Sequence, residues 1–179
     1  MIKDLCGIDE AGRGPLAGPM VIAGVKLLDD IDGLNDSKKL SEKKREFLYD
    51  KIVSNSIYHI VIVSNEQIDQ LGLSLCLKNS INQIIQNIDA KRYLMDGNTS
   101  FGIDILEHLI KADQTIQEVS AASILAKVTR DRYMKKVATL YPQYNFDKHK
   151  GYGTKAHIEA IKKYGLSNLH RRSYKIKGI

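Results

Sequence analysis

GIDEAGRGPLAGP, residues 7–19, sets an apolar run that ends in two acids against a turn rich in glycine and proline. Residues 3–9 read as a short strand ending at Asp9. Gly12, Gly14, Gly18 and two prolines suit neither a helix nor a strand interior, so GRGPLAGP must be a turn. Residues 20–28 return as a second, mostly apolar strand. The chain therefore begins as strand, tight turn, strand, with Asp9 and Glu10 at the junction.

Outward from that segment, strands and helices are interspersed. Ser41 can cap a helix running to about Val53. Residues 57–63 are rich in β-branched side chains and read as a strand. Leu73, Leu77, Ile81, Ile84, Ile85 and Ile88 have helical spacing. Residues 91–95 form another strand, ending at Asp96. Residues 107–112 fit a strand or a helix end. A long helix is predicted from about Gln117 to Leu140, stopped by Tyr141-Pro142. Thr154 caps a last helix to Tyr164, with Gly165 as its stop. Strands mixed with helices predict an α/β fold.

The length of 179 residues fits one domain spanning 1–179, and no run reaches the roughly 18 apolar residues of a membrane span. No secretory signal is visible ahead of Asp9. Cys6 and Cys76 make neither a disulfide framework nor a metal cluster. A soluble, cytoplasmic protein is expected, with monomer as the default state. Charge is unevenly divided. Residues 1–126 carry 13 Lys/Arg against 18 Asp/Glu, a net −5, while residues 127–179 carry 14 against 3, a net +11. A basic last part, about 140–179, on an acidic body points to a polyanionic partner, because phosphate neutralisation dominates nucleic-acid affinity. A solvated basic surface would look the same.

Asp9, Glu10, Asp96 and Asp113 all sit at the ends of apolar runs. Gathered together they would repel unless a divalent cation neutralised them. An all-oxygen donor set suits Mg²⁺ or Mn²⁺. Each acid taken singly is equally a turn or cap residue, and the spacing leaves their convergence open.

Six segments in order resemble the type 2 ribonuclease H family: GIDEAGRGPLAGP (7–19), NDSKKLSEKKRE (35–46), YLMDGN (93–98), KADQTIQEVSAASILAKVTRDRYM (111–134), YPQYNFDKHKGYGTKAH (141–157) and HRRSY (170–174). The resemblance implies a ribonuclease H-like fold, a mixed sheet flanked by helices with a helical C-terminal part. It implies that Asp9, Glu10, Asp96 and Asp113 are catalytic carboxylates holding two Mn²⁺ or Mg²⁺ ions. The implied substrates are RNA–DNA hybrids and duplex DNA containing single ribonucleotides, cut to 3′-hydroxyl and 5′-phosphate ends without a protein nucleophile. Asp131, in TRDRYM, competes with Asp113, but the family pattern excludes it and a local ion pair on the helix surface accounts for it.

The resemblance also assigns Gly12-Arg13-Gly14 to reading the ribose 2′-hydroxyl through backbone groups, with Arg13 available to phosphate. Tyr152 is implied to pack on the deoxyribose beside the ribonucleotide. Lys38, Lys39, Lys127, Arg171 and Arg172 are candidate phosphate contacts. Ser120 and Ser123 are expected to touch phosphate or to cap the long helix. His149, His157 and His170 carry no assigned role. The intact GRG loop favours the HII type over HIII. A DNA-specific nuclease of the same fold and an inactive binding module remain the alternatives.

Overall fold

The computed structural model describes residues 4–34, 39–176 and 178. Lys3, the predicted first strand residue, and Lys38, a candidate phosphate contact, lie outside the described residues. Five strands form one mixed sheet: β1 (Leu5–Ala11), β2 (Met20–Leu27), β3 (Ser56–Val63), β4 (Arg92–Asp96) and β5 (Leu106–Leu109), in the order β3-β2-β1-β4-β5. β2 lies antiparallel to both β1 and β3, whereas β1, β4 and β5 run parallel. Six helices accompany the sheet: α1 (Glu42–Ser54), α2 (Asn65–Leu71), α3 (Leu73–Asn87), α4 (Gln117–Ala138), α5 (Phe146–His149) and α6 (Lys155–Tyr164). None is long and apolar enough to cross a membrane.

Period-two alternation sorts the strand side chains onto two cores. Cys6, Ile8, Met20, Ile22 and Met95 pack against Leu77, Ile81 and Ile84 of α3 on one face. Val21, Ala23 and Val25 pack against α1 and α4 on the other, with Ala122 and Leu125 at the contact. Gly7 permits this second packing. A Cβ there would stand 2.3 Å from the backbone of Glu118 and Val119, so only glycine lets the start of α4 press onto β1. Cys6 and Cys76 are free, buried thiols.

The elements differ from the sequence reading at several places, among them the short helix α5 and the end of α4 at Ala138 rather than Leu140. β1 runs two residues past Asp9, because Glu10 and Ala11 remain paired with Ile22 and Val21 of β2. The ambiguous 107–112 stretch resolves into β5 and then a 3₁₀ turn at Ala112–Gln114. α2 was not predicted, although Ser64 and Gln67 form a complete capping box at its start. That pattern was readable, but the helix is only seven residues long and its apolar period is too short to notice.

Candidate active site

Parallel register brings the first two acids together. Ile8 pairs with Met95 across β1 and β4, so Asp9 and Asp96 are the next residues along neighbouring strands. Alternation turns both away from the Ile8–Met95 core, toward α4. The Ala112 amide then donates to Asp96 Oδ1 at 2.8 Å, which draws the 3₁₀ turn carrying Asp113 against the strand end. Asp9, Asp96 and Asp113 each present a carboxylate oxygen, all within 4.8 Å of one another. Asp9 is 7% exposed and Asp113 is 2% exposed.

Glu10 lies outside this converging trio for a geometric reason, although it stays within electrostatic reach of Asp9 and Asp96. The next residue on a strand faces the opposite side. Its carboxylate pairs with Arg13, while Oε2 is buried with no hydrogen-bond partner. Burial, with the adjacent Glu10 charge, holds the Asp9 carboxyl well above the usual carboxylate range. Burial also raises Glu10, opposed by Arg13. The Glu10 amide and the Ser123 hydroxyl hydrogen-bond to Asp9 and partly offset the shift. The all-oxygen trio, costly in charge and with the orphaned Glu10 Oε2 beside it on the same cleft, fits a hard divalent cation such as Mg²⁺ or Mn²⁺.

Asp9, Glu10 and Asp96 open onto a cleft of about 500 Å³. Its wall brings together Asp9, Glu10, Asp96, Gly12, Arg13, Gly14, Ser123, Lys127 and Tyr152. Asp113 and Ser120 line a small neighbouring cavity instead. Ser120 is buried, and neither serine caps α4, whose N-cap position is Ile116 with no side-chain cap. The capping expectation fails because α4 starts three residues before Ser120. Lys127 pairs with Asp131 one turn later at 2.9 Å. Asp131 thus has its local ion pair, though it is buried rather than on the surface, and it lies outside the acid trio. Tyr152 is 44% exposed, with the Arg130 guanidinium 5.7 Å from its ring centre.

Three of the candidate phosphate contacts, Arg171, Arg172 and Lys39, do not line this cleft. Arg171 is 1% exposed, and its donors are occupied by backbone: Nη2 to the Gly12 carbonyl at 2.6 Å, Nη1 to that of Arg13 at 2.8 Å, and Nε to that of Gly18 at 3.0 Å. It sits behind the GRG loop rather than on its face. Arg172 is exposed, but it borders a different recess, with Asn65 and Asp69. Lys39 is exposed ahead of α1 and is not on the cleft wall.

Arg130 escaped the sequence reading. It too is 1% exposed, and it donates to the carbonyls of Pro19 (2.8 Å) and Ala17 (3.2 Å). A signal existed: Ala122, Ala126, Arg130 and Met134 recur every four residues along one buried stripe of α4. Together the two arginines hold five carbonyls of the 12–19 loop. Gly12 has φ +98°, and a Cβ there would meet Arg130 Nε at 2.2 Å. The loop backbone is therefore seated on guanidinium groups with no room for a side chain between.

Asp9 and Asp96 share one cleft with the arginine-seated GRG loop, Asp113 converges on them from the adjoining cavity, and a family model described as Ribonuclease HII matches residues 6–177. The chain belongs to the ribonuclease HII family. It is 62% identical to Ribonuclease HII of Aliarcobacter butzleri, over 99% of this chain and 94% of that protein. It is 58% identical to Ribonuclease HII of Sulfurovum sp., over 99% and 94%. The RNase HII of Archaeoglobus fulgidus, solved in complex with PCNA, has the same fold, with TM-score 0.84 and 27% identity over 98% of this chain and 96% of that one. Family membership makes the protein an endoribonuclease, and the expected ribonuclease H-like fold, a mixed sheet with helices, is the one observed.

Proposed function

We propose that this ribonuclease HII family member hydrolyses the RNA strand of RNA–DNA hybrids and cuts 5′ of single ribonucleotides embedded in duplex DNA. The observation that carries the reading is the placement of Asp9 and Asp96 on the same cleft as Gly12-Arg13-Gly14 and Tyr152, with the Asp113 carboxylate within 4.8 Å of both from the adjoining cavity. Asp9, Glu10, Asp96 and Asp113 would hold Mn²⁺ or Mg²⁺. Metal held there would supply activation of the attacking water and charge stabilisation at the leaving oxygen, the chemistry that yields 3′-hydroxyl and 5′-phosphate ends.

The chain's own residues supply position and selection. Ser123 orients Asp9 through its hydroxyl. The carbonyls of Gly12 and Arg13 are engaged from behind by Arg171, which leaves the cleft side of the loop to a ribose 2′-hydroxyl. Gly14 has open space where a Cβ would be, so a nucleotide can approach its backbone. Arg13 and Lys127 provide cations on the cleft wall for phosphate. The half-exposed Tyr152 ring offers an apolar face to the deoxyribose beside the ribonucleotide.

The direct test is cleavage, with Mn²⁺, of a duplex carrying one ribonucleotide beside an all-DNA control. A single cut 5′ of the ribonucleotide and an intact control are expected. Equal cutting of both would instead indicate a DNA-specific nuclease, and no cutting with bound substrate an inactive binding module.

A further inference from the structure

His149, His157 and His170 take no part in the cleavage reading, yet the fold gathers them. His149 ends α5, His157 lies in the first turn of α6, and His170 is in the segment that pairs with Ala17. All three rings pack around Phe146, with centroids 6.0, 5.5 and 5.8 Å from its own. His157 and His170 are completely buried. Their ring nitrogens make one continuous chain to Tyr152.

Backbone donors fix the tautomers along that chain. The Ser167 amide donates to His170 Nδ1 at 2.9 Å, so that nitrogen holds a lone pair. A neutral imidazole has one N–H. The His170 proton is therefore on Nε2, where it is donated to His157 Nε2 at 3.1 Å. His157 must then carry its proton on Nδ1, which donates to the Tyr152 carbonyl at 2.9 Å. Burial pushes both rings down to about 4, so both are neutral near pH 7. His149 is fixed in the same manner: the Gly151 amide donates to Nδ1, and Nε2 donates to the Tyr144 carbonyl. It stacks on His157 with centroids 4.4 Å apart.

We propose that His157 is a positioning residue for Tyr152: the directed chain from the Ser167 amide through His170 and His157 to the Tyr152 carbonyl sets the tyrosine ring on the cleft wall. Gly151 and Gly153 flank Tyr152; its amide donates to the His149 carbonyl at 2.9 Å and its carbonyl also accepts from the Thr154 amide at 2.8 Å, so His157 Nδ1 supplies the side-chain bond that ties this turn to α6. This rests on the proposed role of Tyr152 as reader of the RNA–DNA junction.

Two substitutions separate the chain from simple packing. In His157→Asn the amide nitrogen occupies the Nδ1 position and still reaches the Tyr152 carbonyl. In His157→Gln it occupies the Nε2 position and does not. The readout is kcat/KM at a single-ribonucleotide junction divided by kcat/KM on a continuous hybrid, with Tyr152→Ala as reference. His157→Gln should lose junction selectivity about tenfold, the scale of one hydrogen bond, with His157→Asn near the parent. Native selectivity in His157→Gln, alongside a loss in Tyr152→Ala, overturns the positioning role alone. Native selectivity in Tyr152→Ala overturns the role of Tyr152 and this proposal with it. Independently of folding of the variants, ¹⁵N NMR of the parent protein should show His157 protonated on Nδ1 and His170 on Nε2. The opposite tautomer at His157 overturns the chain.

Discussion

Arg171 Nη2 donates to the Gly12 carbonyl at 2.6 Å, from the side of the GRG loop away from the cleft. This single bond separates holding the loop from touching substrate. Tyr174 reinforces it: its hydroxyl accepts from Arg171 Nη1 at 2.9 Å and donates to the Arg13 carbonyl at 2.6 Å. Arg171→Ala would strand the carbonyls of Gly12 and Gly18 and leave that of Arg13 to Tyr174 alone, each unsatisfied buried acceptor costing about 1–3 kcal/mol. A drop of roughly 3 kcal/mol or more in denaturant-unfolding stability is expected. Arg171→Lys should recover only part of it, since an ammonium cannot span three carbonyls. Arg172→Ala should stay within about 0.5 kcal/mol of the parent.

The same geometry predicts how binding responds to salt. Lys127 lines the cleft, so Lys127→Ala should flatten the plot of log affinity against log salt by about one unit. Tyr174→Phe, which loosens the loop without removing a charge, should leave that slope unchanged while weakening affinity. Fluorescence anisotropy with a labelled duplex over a salt series, in the presence of Ca²⁺ to limit turnover, measures both.

Gly12→Ala tests the loop directly. The added methyl meets Arg130 Nε at 2.2 Å at a backbone φ of +98°, so the loop must move. Cleavage of the single-ribonucleotide duplex should fall by about 100-fold or more, about 3 kcal/mol in the transition state. Circular dichroism should show the sheet and helices retained. A variant with parental activity would contradict a fixed loop backbone.

Asp9 illustrates a stability cost carried for function. Its carboxyl is raised by burial and by Glu10, so the folded protein pays for the ionised form at every pH above the folded-state value. Asp9→Asn removes that charge. In EDTA its melting temperature should exceed the parent's, by about 2–4 °C for each kcal/mol recovered. Added Mn²⁺ should stabilise the parent more than the variant, and cleavage by the variant should be abolished. Scanning fluorimetry with and without Mn²⁺ reads the first two outcomes.

The histidines predict an acid limb. His157 and His170 are neutral in the fold because burial holds them at about 4, whereas unfolded histidines titrate near 6.5. The unfolded chain therefore binds more protons between these values, and stability falls as pH drops from about 6.5 to about 4. His157→Asn should flatten this limb in urea melts at stepped pH. An unchanged limb would show that other groups set it.

The sequence by itself determined the family and the chemistry of the parts. Six ordered segments identify the family, and alternation with helical spacing placed the strands and long helices, because local period follows directly from backbone geometry. It named Asp9, Asp96 and Asp113 as acids at the ends of apolar runs. Tertiary structure decided which charges face which way. Only the parallel register of β1 and β4 makes Asp9 and Asp96 neighbours, and only alternation past Asp9 sets Glu10 apart. The basic C-terminal part was legible as charge, but the burial of Arg171, and of Arg130 in α4, depends on which loop folds over each. Charge is a property of a residue, whereas exposure belongs to the packed chain. For that reason an arginine that composition assigns to phosphate can instead hold the backbone that faces the cleft.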